Sequence, residues 1–290
     1  MNRFYLICTF LCVPFLTKTF GQNFQEGDSL LKRKQYDLAL LAYERVYFEI
    51  TEFSDTTLSS NSLQEAKNNC VLRKVYCLKT MGKFEEASKT AQRFELNNLS
   101  DSRQLLLRNE IVVCYFLSGF YEDALSQIQQ IRFFIKDSTL TQQTDIWEIL
   151  SLVHLKRYAE AKVIFKKYLE RKHISMDVDE VFSFEKKTGF RNPKKAEALA
   201  TFLPGAGMIY SGKVKEGVTS LILQLATLGY GGYSIWKGYY FSGFFSGFGL
   251  FQAFYFGGIK RTGVLVEQRN KNLTDKYAQD MAKVIMKLEE

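Results

Sequence analysis

Between Glu216 and Lys237 the chain carries no charged residue, and between Lys237 and Lys260 it again carries none. These two runs are 20 and 22 residues long, about the length a helix needs to cross ~30 Å of hydrocarbon. Two adjacent uncharged runs of that length are rare in water-soluble folds, so they constrain this chain more than any other feature. Gly217–Trp236 and Gly238–Ile259 are accordingly expected to be membrane spans. Trp236, Tyr239 and Tyr240 fall where the runs meet, the place for an interfacial aromatic belt, and Lys237 at the tip would reach back to water. Gly243 and Gly247, four apart, share one helix face and would allow close helix approach, within one chain or between copies.

Composition supports a division into two unlike halves. Fourteen of the 19 glycines lie between Gly205 and Gly263, and the aromatic residues crowd into 230–256. That shift places a boundary near Gly189–Pro193. The net charge is +8, and Lys194, Lys195, Lys213, Lys215, Lys237, Lys260 and Arg261 bracket the apolar runs, as contact with anionic lipid headgroups would require. No basic stripe stands on a soluble face, so nucleic acid is not an expected partner.

At the N-terminus, Arg3 precedes an apolar stretch over 4–16 and a Thr-Lys-Thr-Phe-Gly-Gln segment. This is the layout of a secretory signal covering 1–21, with an uncleaved anchor as the alternative. Neither Cys8 nor Cys12 follows the small residue a lipoprotein site needs. Beyond the signal stand Cys70, Cys77 and Cys114. On one helix Cys70 and Cys77 would lie roughly 10 Å apart along the axis, beyond the ~7 Å Cα limit for a disulfide. They read as small buried apolar residues.

From Asn23 onward the pattern is helical and repeats. Lys34–Tyr43, Gly82–Ala91, Gly119–Ile128 and Lys156–Phe165 share a turn, an aromatic residue and a small residue three later. The aromatics are Tyr36, Phe84, Tyr121 and Tyr158, spaced by 48, 37 and 37 residues. The small residues are Ala39, Ala87, Ala124 and Ala161. A fixed period in the thirties marks stacked helical hairpins, in which the aromatic packs back on the first helix and Ala permits close approach. Cys77 and Cys114 are also 37 apart, so they occupy equivalent buried positions. Polar 51–62 in the longer first interval is expected to hold a loop or extended helices.

These units resemble tetratricopeptide (TPR) repeats, specifically the inter-helix turn and second helix of that family, over roughly 23–172. Tyr115 stands where the family has a first-helix Tyr, but the Trp-Leu-Gly set and the closing Pro are missing. The resemblance implies an all-α helical solenoid whose concave groove takes a protein or peptide partner.

Residues 173–192 read as a linker. Asn192-Pro193 then looks like an N-cap with Pro at the first helical position, opening a membrane module over 193–262. A helix carrying Ala196, Leu199, Ala200 and Phe202 must break near Leu203, because Pro204 disfavours helical geometry before it. Over 193–211 a re-entrant or interfacial helix is therefore expected rather than a full span. After Gly263 the tail 263–290 is polar with Leu273, Tyr277, Met281, Val284 and Leu288 on one stripe, an amphipathic helix. Plain packing is the expectation for it; docking on the repeats, on a membrane or on a partner are alternatives.

Leu203–Gly217 reads L-P-G-A-G-M-I-Y-S-G-K-V-K-E-G. It resembles the L-P-G-x-G-Q-x-Y-x-G signature of small bacterial membrane-hairpin modules, which are often joined to TPR-type regions in envelope proteins. Pro204, Gly205, Gly207, Tyr210, Gly212 and Gly217 match, while Met208 replaces the Gln, so a polar role at that position is not expected. Charge and length disagree on topology. Two spans plus a re-entrant helix fit the lengths, whereas three crossings would place Lys213, Lys215, Lys260 and Arg261 inside, as the positive-inside tendency favours.

No phosphate loop, nucleophile elbow or H-E-x-x-H occurs, and neither His154 nor His173 stands at metal-ligand spacing from other ligands. Glu85-Glu86 and Glu122-Asp123 sit at equivalent helix starts, where the helix dipole accounts for them. No catalytic, cofactor-binding or metal-binding residue is expected, and the chain is not expected to be an enzyme. The sequence points to a non-catalytic, membrane-anchored scaffold of the bacterial inner membrane with periplasmic repeats, binding a partner in the groove. The alternative makes the Gly-rich module the active part, as a small oligomeric channel or a membrane-biogenesis factor, although no ionisable residue lies inside either run.

Overall fold

A computed structural model describes residues 20–52, 60–184 and 189–289. The described residues are helical and contain no strand, so the chain is all-α. The signal expected over 1–21 falls almost wholly outside them, as does the middle of the polar 51–62 stretch. The chain divides into two compact units, Met1–Ile174 and Ser175–Glu290.

The first unit is a run of helical hairpins: Phe20–Lys32 with Tyr36–Glu52, Ser60–Thr80 with Phe84–Ala91, Asp101–Ser118 with Tyr121–Phe134, and Asp145–His154 with Tyr158–Lys172. Each repeat aromatic, Tyr36, Phe84, Tyr121 and Tyr158, is the first residue of the second helix of its hairpin. Each small residue, Ala39, Ala87, Ala124 and Ala161, is fully buried.

The turns are alike. Two residues ahead of each aromatic stands a left-handed residue: Lys34, Gly82, Gly119 or Lys156 (φ 62°, 73°, 80° and 61°). The amides of this residue and its successor donate back to the end of the first helix, as Gly119 N to Phe116 O (3.0 Å) and Phe120 N to Tyr115 O (2.9 Å) do. This bond pattern satisfies carbonyls the helix end would otherwise leave unpaired.

Stacking between hairpins builds the core. Ala39 and Tyr43 of the first hairpin pack with Cys77 of the second. Ala87 and Ala91 of the second pack with Leu107, Ile111 and Cys114 of the third. Cys77 and Cys114 thus fill the same slot one repeat apart, and burial pushes their thiols up to about 11 and about 12. Cys70, buried beside Val46 and Ile50, is likewise pushed up to about 12.

The second unit begins earlier than the composition shift implies. Residues expected to be linker pack here: Phe182 is buried, and Phe184 stacks on Tyr277 with ring centroids 4.1 Å apart. Next come Pro193–Phe202, Ala206–Tyr210 and Val214–Trp236, then a short helix Tyr240–Ser242, a π-helical stretch Gly243–Phe248 and one helix from Gly249 to Glu289. The Asn192 side chain accepts from Lys195 N (3.3 Å), and Pro193 opens the first helix as expected. Leu203 is extended (φ −133°, ψ 110°), the geometry that a following Pro imposes.

One boundary differs from expectation. The tail 263–290 is no separate helix, because Gly263 interrupts nothing and the helix Gly249–Glu289 runs 41 residues without a break. Among the described residues no helix is long and apolar enough to cross a membrane. The runs 217–236 and 238–259 are uncharged, but Gly, Ser, Thr and Tyr take many places that Leu, Ile and Val hold in a strongly apolar span. The second run is also divided, with a turn at Gly238 and π-helical geometry at Gly243–Phe248 before the long helix begins.

Candidate functional surfaces

The motif Leu203–Gly217 forms a tight knot at the base of the second unit. A Cβ on Gly205 would land on the Gly217 carbonyl, and one on Gly217 would stand 2.6 Å from the Gly205 carbonyl oxygen. A Cβ on Gly207 would strike the Ala196 carbonyl and Thr262. Three helix starts therefore meet at backbone distance, which only glycine permits, and the Thr262 methyl of the long helix closes on Gly207. Gly212 (φ +93°) forms the left-handed turn between Tyr210 and Val214. Its amide donates to Ile209 O (2.9 Å) and Lys213 N donates to Met208 O (3.0 Å), the bonding of the repeat turns used again. Met208, in place of the expected Gln, is buried and apolar.

Tyr210 carries the knot's polar side. Its hydroxyl accepts from Asn192 N (3.4 Å), the Arg191 guanidinium lies 5.2 Å from its ring centroid and Lys195 Nζ 6.0 Å. Arg261 pairs with Glu216 (3.3 Å). Neither Arg191 nor its neighbour Arg269 stands out in the sequence. They belong to segments read as linker and as a generic polar tail, and only folding brings them together.

Above the knot, the surface is aromatic. Trp236 and Phe241 are each 78% exposed, and their chain neighbours Tyr239, Tyr240, Phe244 and Phe245 are exposed too. Lys237 Nζ lies 5.2 Å from the Trp236 ring centroid. Gly243 and Gly247 both face Gly231: a Cβ on Gly243 would stand 2.9 Å from Gly231 O, and one on Gly247 would overlap Gly231 Cα. Their shared face is thus occupied within the chain, not presented outward. Inside the unit Gln224 is buried, with Nε2 donating to Ser220 Oγ (3.0 Å) and Oε1 left without a partner.

In the first unit a cleft of about 420 Å³ lies between the third and fourth hairpins, lined by Glu122, Gln129, Glu148, Arg157, Glu160 and Val163 among others. Arg157 donates to Glu160 (2.7 Å) and reaches Glu122 (3.4 Å), so two carboxylates share one guanidinium lining the cleft. Arg132 spans from Glu148 (2.9 Å) to Asp145 (3.1 Å), and Arg171 also pairs with Asp145, which is nearly fully buried. Glu122 heads its helix as the dipole argument expects, but the cleft gives it a second setting. His154 stacks on Tyr121 (4.2 Å between centroids) as part of the packing. Among the described residues no group of three or more His, Cys, Asp or Glu side chains could hold a metal ion. No protein-family model, no curated protein and no solved structure matches this chain.

Proposed function

We propose that the protein is a non-catalytic, membrane-anchored scaffold of a bacterial envelope, in which TPR-like hairpins hold a protein or peptide partner while the Gly- and aromatic-rich unit rests in lipid. The observation that supports this reading best is the exposed aromatic surface around Trp236 and Phe241. In water, a patch of that size and composition is a liability unless something apolar covers it, and Trp and Tyr favour the lipid–water interface. Under this reading the helices of 214–259 enter the bilayer as a hairpin, with Lys213, Lys215, Lys260 and Arg261 at the headgroups of the inner membrane and the repeats in the periplasm. The partner site is the cleft lined by Glu122, Glu148 and Glu160, where Glu122 and Glu160 outnumber Arg157 and suit a basic segment of the partner.

Two measurements test it. Full-length protein should float with phospholipid vesicles, and Trp236→Asp with Phe241→Asp should reduce that partition by about tenfold or more. Equal flotation of the variant would reject the lipid contact. A partner captured by the wild-type protein should be lost with Glu122→Lys and Glu160→Lys. Retention by that variant would remove the cleft as the partner site.

A further inference from the structure

We propose that Arg191 and Arg269, converging over Gly212, form a binding site for a phosphate oxyanion. The pair is set by the backbone. Asn270, next to Arg269 on the long helix, accepts from Arg191 N (3.0 Å) and donates to Arg191 O (2.7 Å). That two-way bond fixes the base of one arginine to the base of the other. Their side chains then meet above the left-handed turn. The point where a Cβ of Gly212 would stand is 3.2 Å from Arg269 Nη1 and 3.8 Å from Arg191 Nη1. Arg269 Nη2 also lies 3.9 Å from the corresponding point on Gly189, so two glycines make room for one guanidinium.

Missing acceptors mark this arrangement as a site. Arg269 Nε is buried with no hydrogen-bond partner. Among the described residues, no carboxylate pairs with either Arg191 or Arg269. The side-chain contact of Arg191 is with the Tyr210 ring, which Lys195 shares. Arg103 holds Glu65, and Arg132 and Arg171 hold Asp145; Arg108, whose Nε also lacks a partner, still donates to Gln130 Oε1 (3.2 Å). Two guanidiniums whose Nη1 atoms lie no more than about 7 Å apart repel, and each loses hydration without a replacement bond. An oxyanion with several oxygens corrects both defects at once, since it accepts from both planar forks and supplies the missing negative charge. A phosphate group fits this requirement, whether it is the phosphodiester of an anionic lipid headgroup or free phosphate. The site does not depend on the membrane reading above.

The test uses the full-length protein in detergent, with thermal unfolding followed as sodium phosphate replaces sodium chloride at constant ionic strength. Phosphate at ten times its Kd should raise Tm by about 2–5 °C. The double variant Arg191→Gln with Arg269→Gln should lose the response while starting from a Tm no lower than wild type, because it removes a repulsion. Arg269→Lys keeps the charge, loses the fork, and should bind phosphate about tenfold more weakly. Arg103→Gln, which removes a Glu65-paired arginine from the first unit, should respond as wild type does. These two variants carry the test if the double variant does not fold.

Flotation with phosphatidylcholine vesicles, with and without phosphatidylglycerol, separates the sources. A phosphatidylglycerol preference lost in the Arg191/Arg269 variants identifies a lipid headgroup. A phosphate response with an unchanged lipid preference identifies free phosphate. A Tm that follows ionic strength alone, together with a lipid preference identical in wild type and variants, overturns the proposal. Failure to float at all would bear on the membrane reading and leave the phosphate titration to decide this one.

Discussion

Gly205 and Gly217 pack backbone to backbone: a Cβ added to Gly217 would stand 2.6 Å from the Gly205 carbonyl oxygen, and one added to Gly205 would fall on the Gly217 carbonyl. Gly217 is helical, so replacing it by Ala tests the contact without a dihedral penalty. Gly217→Ala should destabilise the second unit by about 1–3 kcal/mol through overpacking. Gly229 lies on the same helix with open space around its Cβ position, and Gly229→Ala should add about 0.5–1 kcal/mol. Thermal unfolding of both variants in one detergent checks the pair. Equal shifts would show that the close approach has no energetic weight.

Ser151 lies 37 residues beyond Cys114, which is itself 37 beyond Cys77. It is fully buried, and its hydroxyl has no hydrogen-bond partner. Where the second and third hairpins place a sulfur, the fourth buries an unsatisfied oxygen. Ser151→Cys should therefore stabilise the first unit by about 1 kcal/mol, read as a higher midpoint in urea.

Lys34 takes a left-handed conformation at the turn where the next hairpin has Gly82. A non-glycine residue there costs roughly 1–2 kcal/mol, partly offset by the entropy glycine loses. Lys34→Gly should thus raise stability by up to about 1 kcal/mol. Gly82 has no atom within 4 Å of its Cβ position, so Gly82→Ala should cost about the same for conformational reasons alone. Opposite signs in a denaturant melt are the expected outcome.

The three buried thiols give the first unit an alkaline limit. Cys70 and Cys114 titrate near 12 and Cys77 near 11 in the folded chain, all raised by burial above the ordinary thiol value. Between about pH 9 and those values the unfolded chain has released thiol protons that the folded chain retains. Stability is therefore fully present below pH 9 and falls as pH rises, by on the order of 1 kcal/mol per thiol at pH 10. In Cys70→Ala with Cys114→Ala the stability–pH slope between pH 9 and 10 should be shallower than in wild type. An unchanged slope would dismiss these groups as its source.

The hairpins were legible because their signal is local and periodic. An aromatic, a small residue three later and a preceding turn recur at spacings of 48, 37 and 37 residues, and each piece does the same physical work in every copy. Lys34 and Lys156 were not legible as left-handed residues, since nothing in Lys marks a positive φ. The helix Gly249–Glu289 was missed for the opposite reason. Gly257, Gly258 and Gly263 and the return of charge resemble a boundary, yet the helix runs through all three glycines. The packing role of 182–184 was hidden because it depends on Tyr277, nearly a hundred residues away. The Arg191–Arg269 pair was hidden likewise: two unremarkable cations 78 positions apart that Asn270 brings to one turn.

The unbroken 41-residue helix has a mechanical consequence. Its contour is about 60 Å, and it joins the glycine-locked, aromatic end of the unit to the buried stripe of Tyr277, Met281 and Ile285. A hinge at Gly263 would have let those ends move separately. Without one, the Gly243–Phe248 stretch and that stripe are held at the fixed spacing and rotation of a single helix, a strut and not a leash.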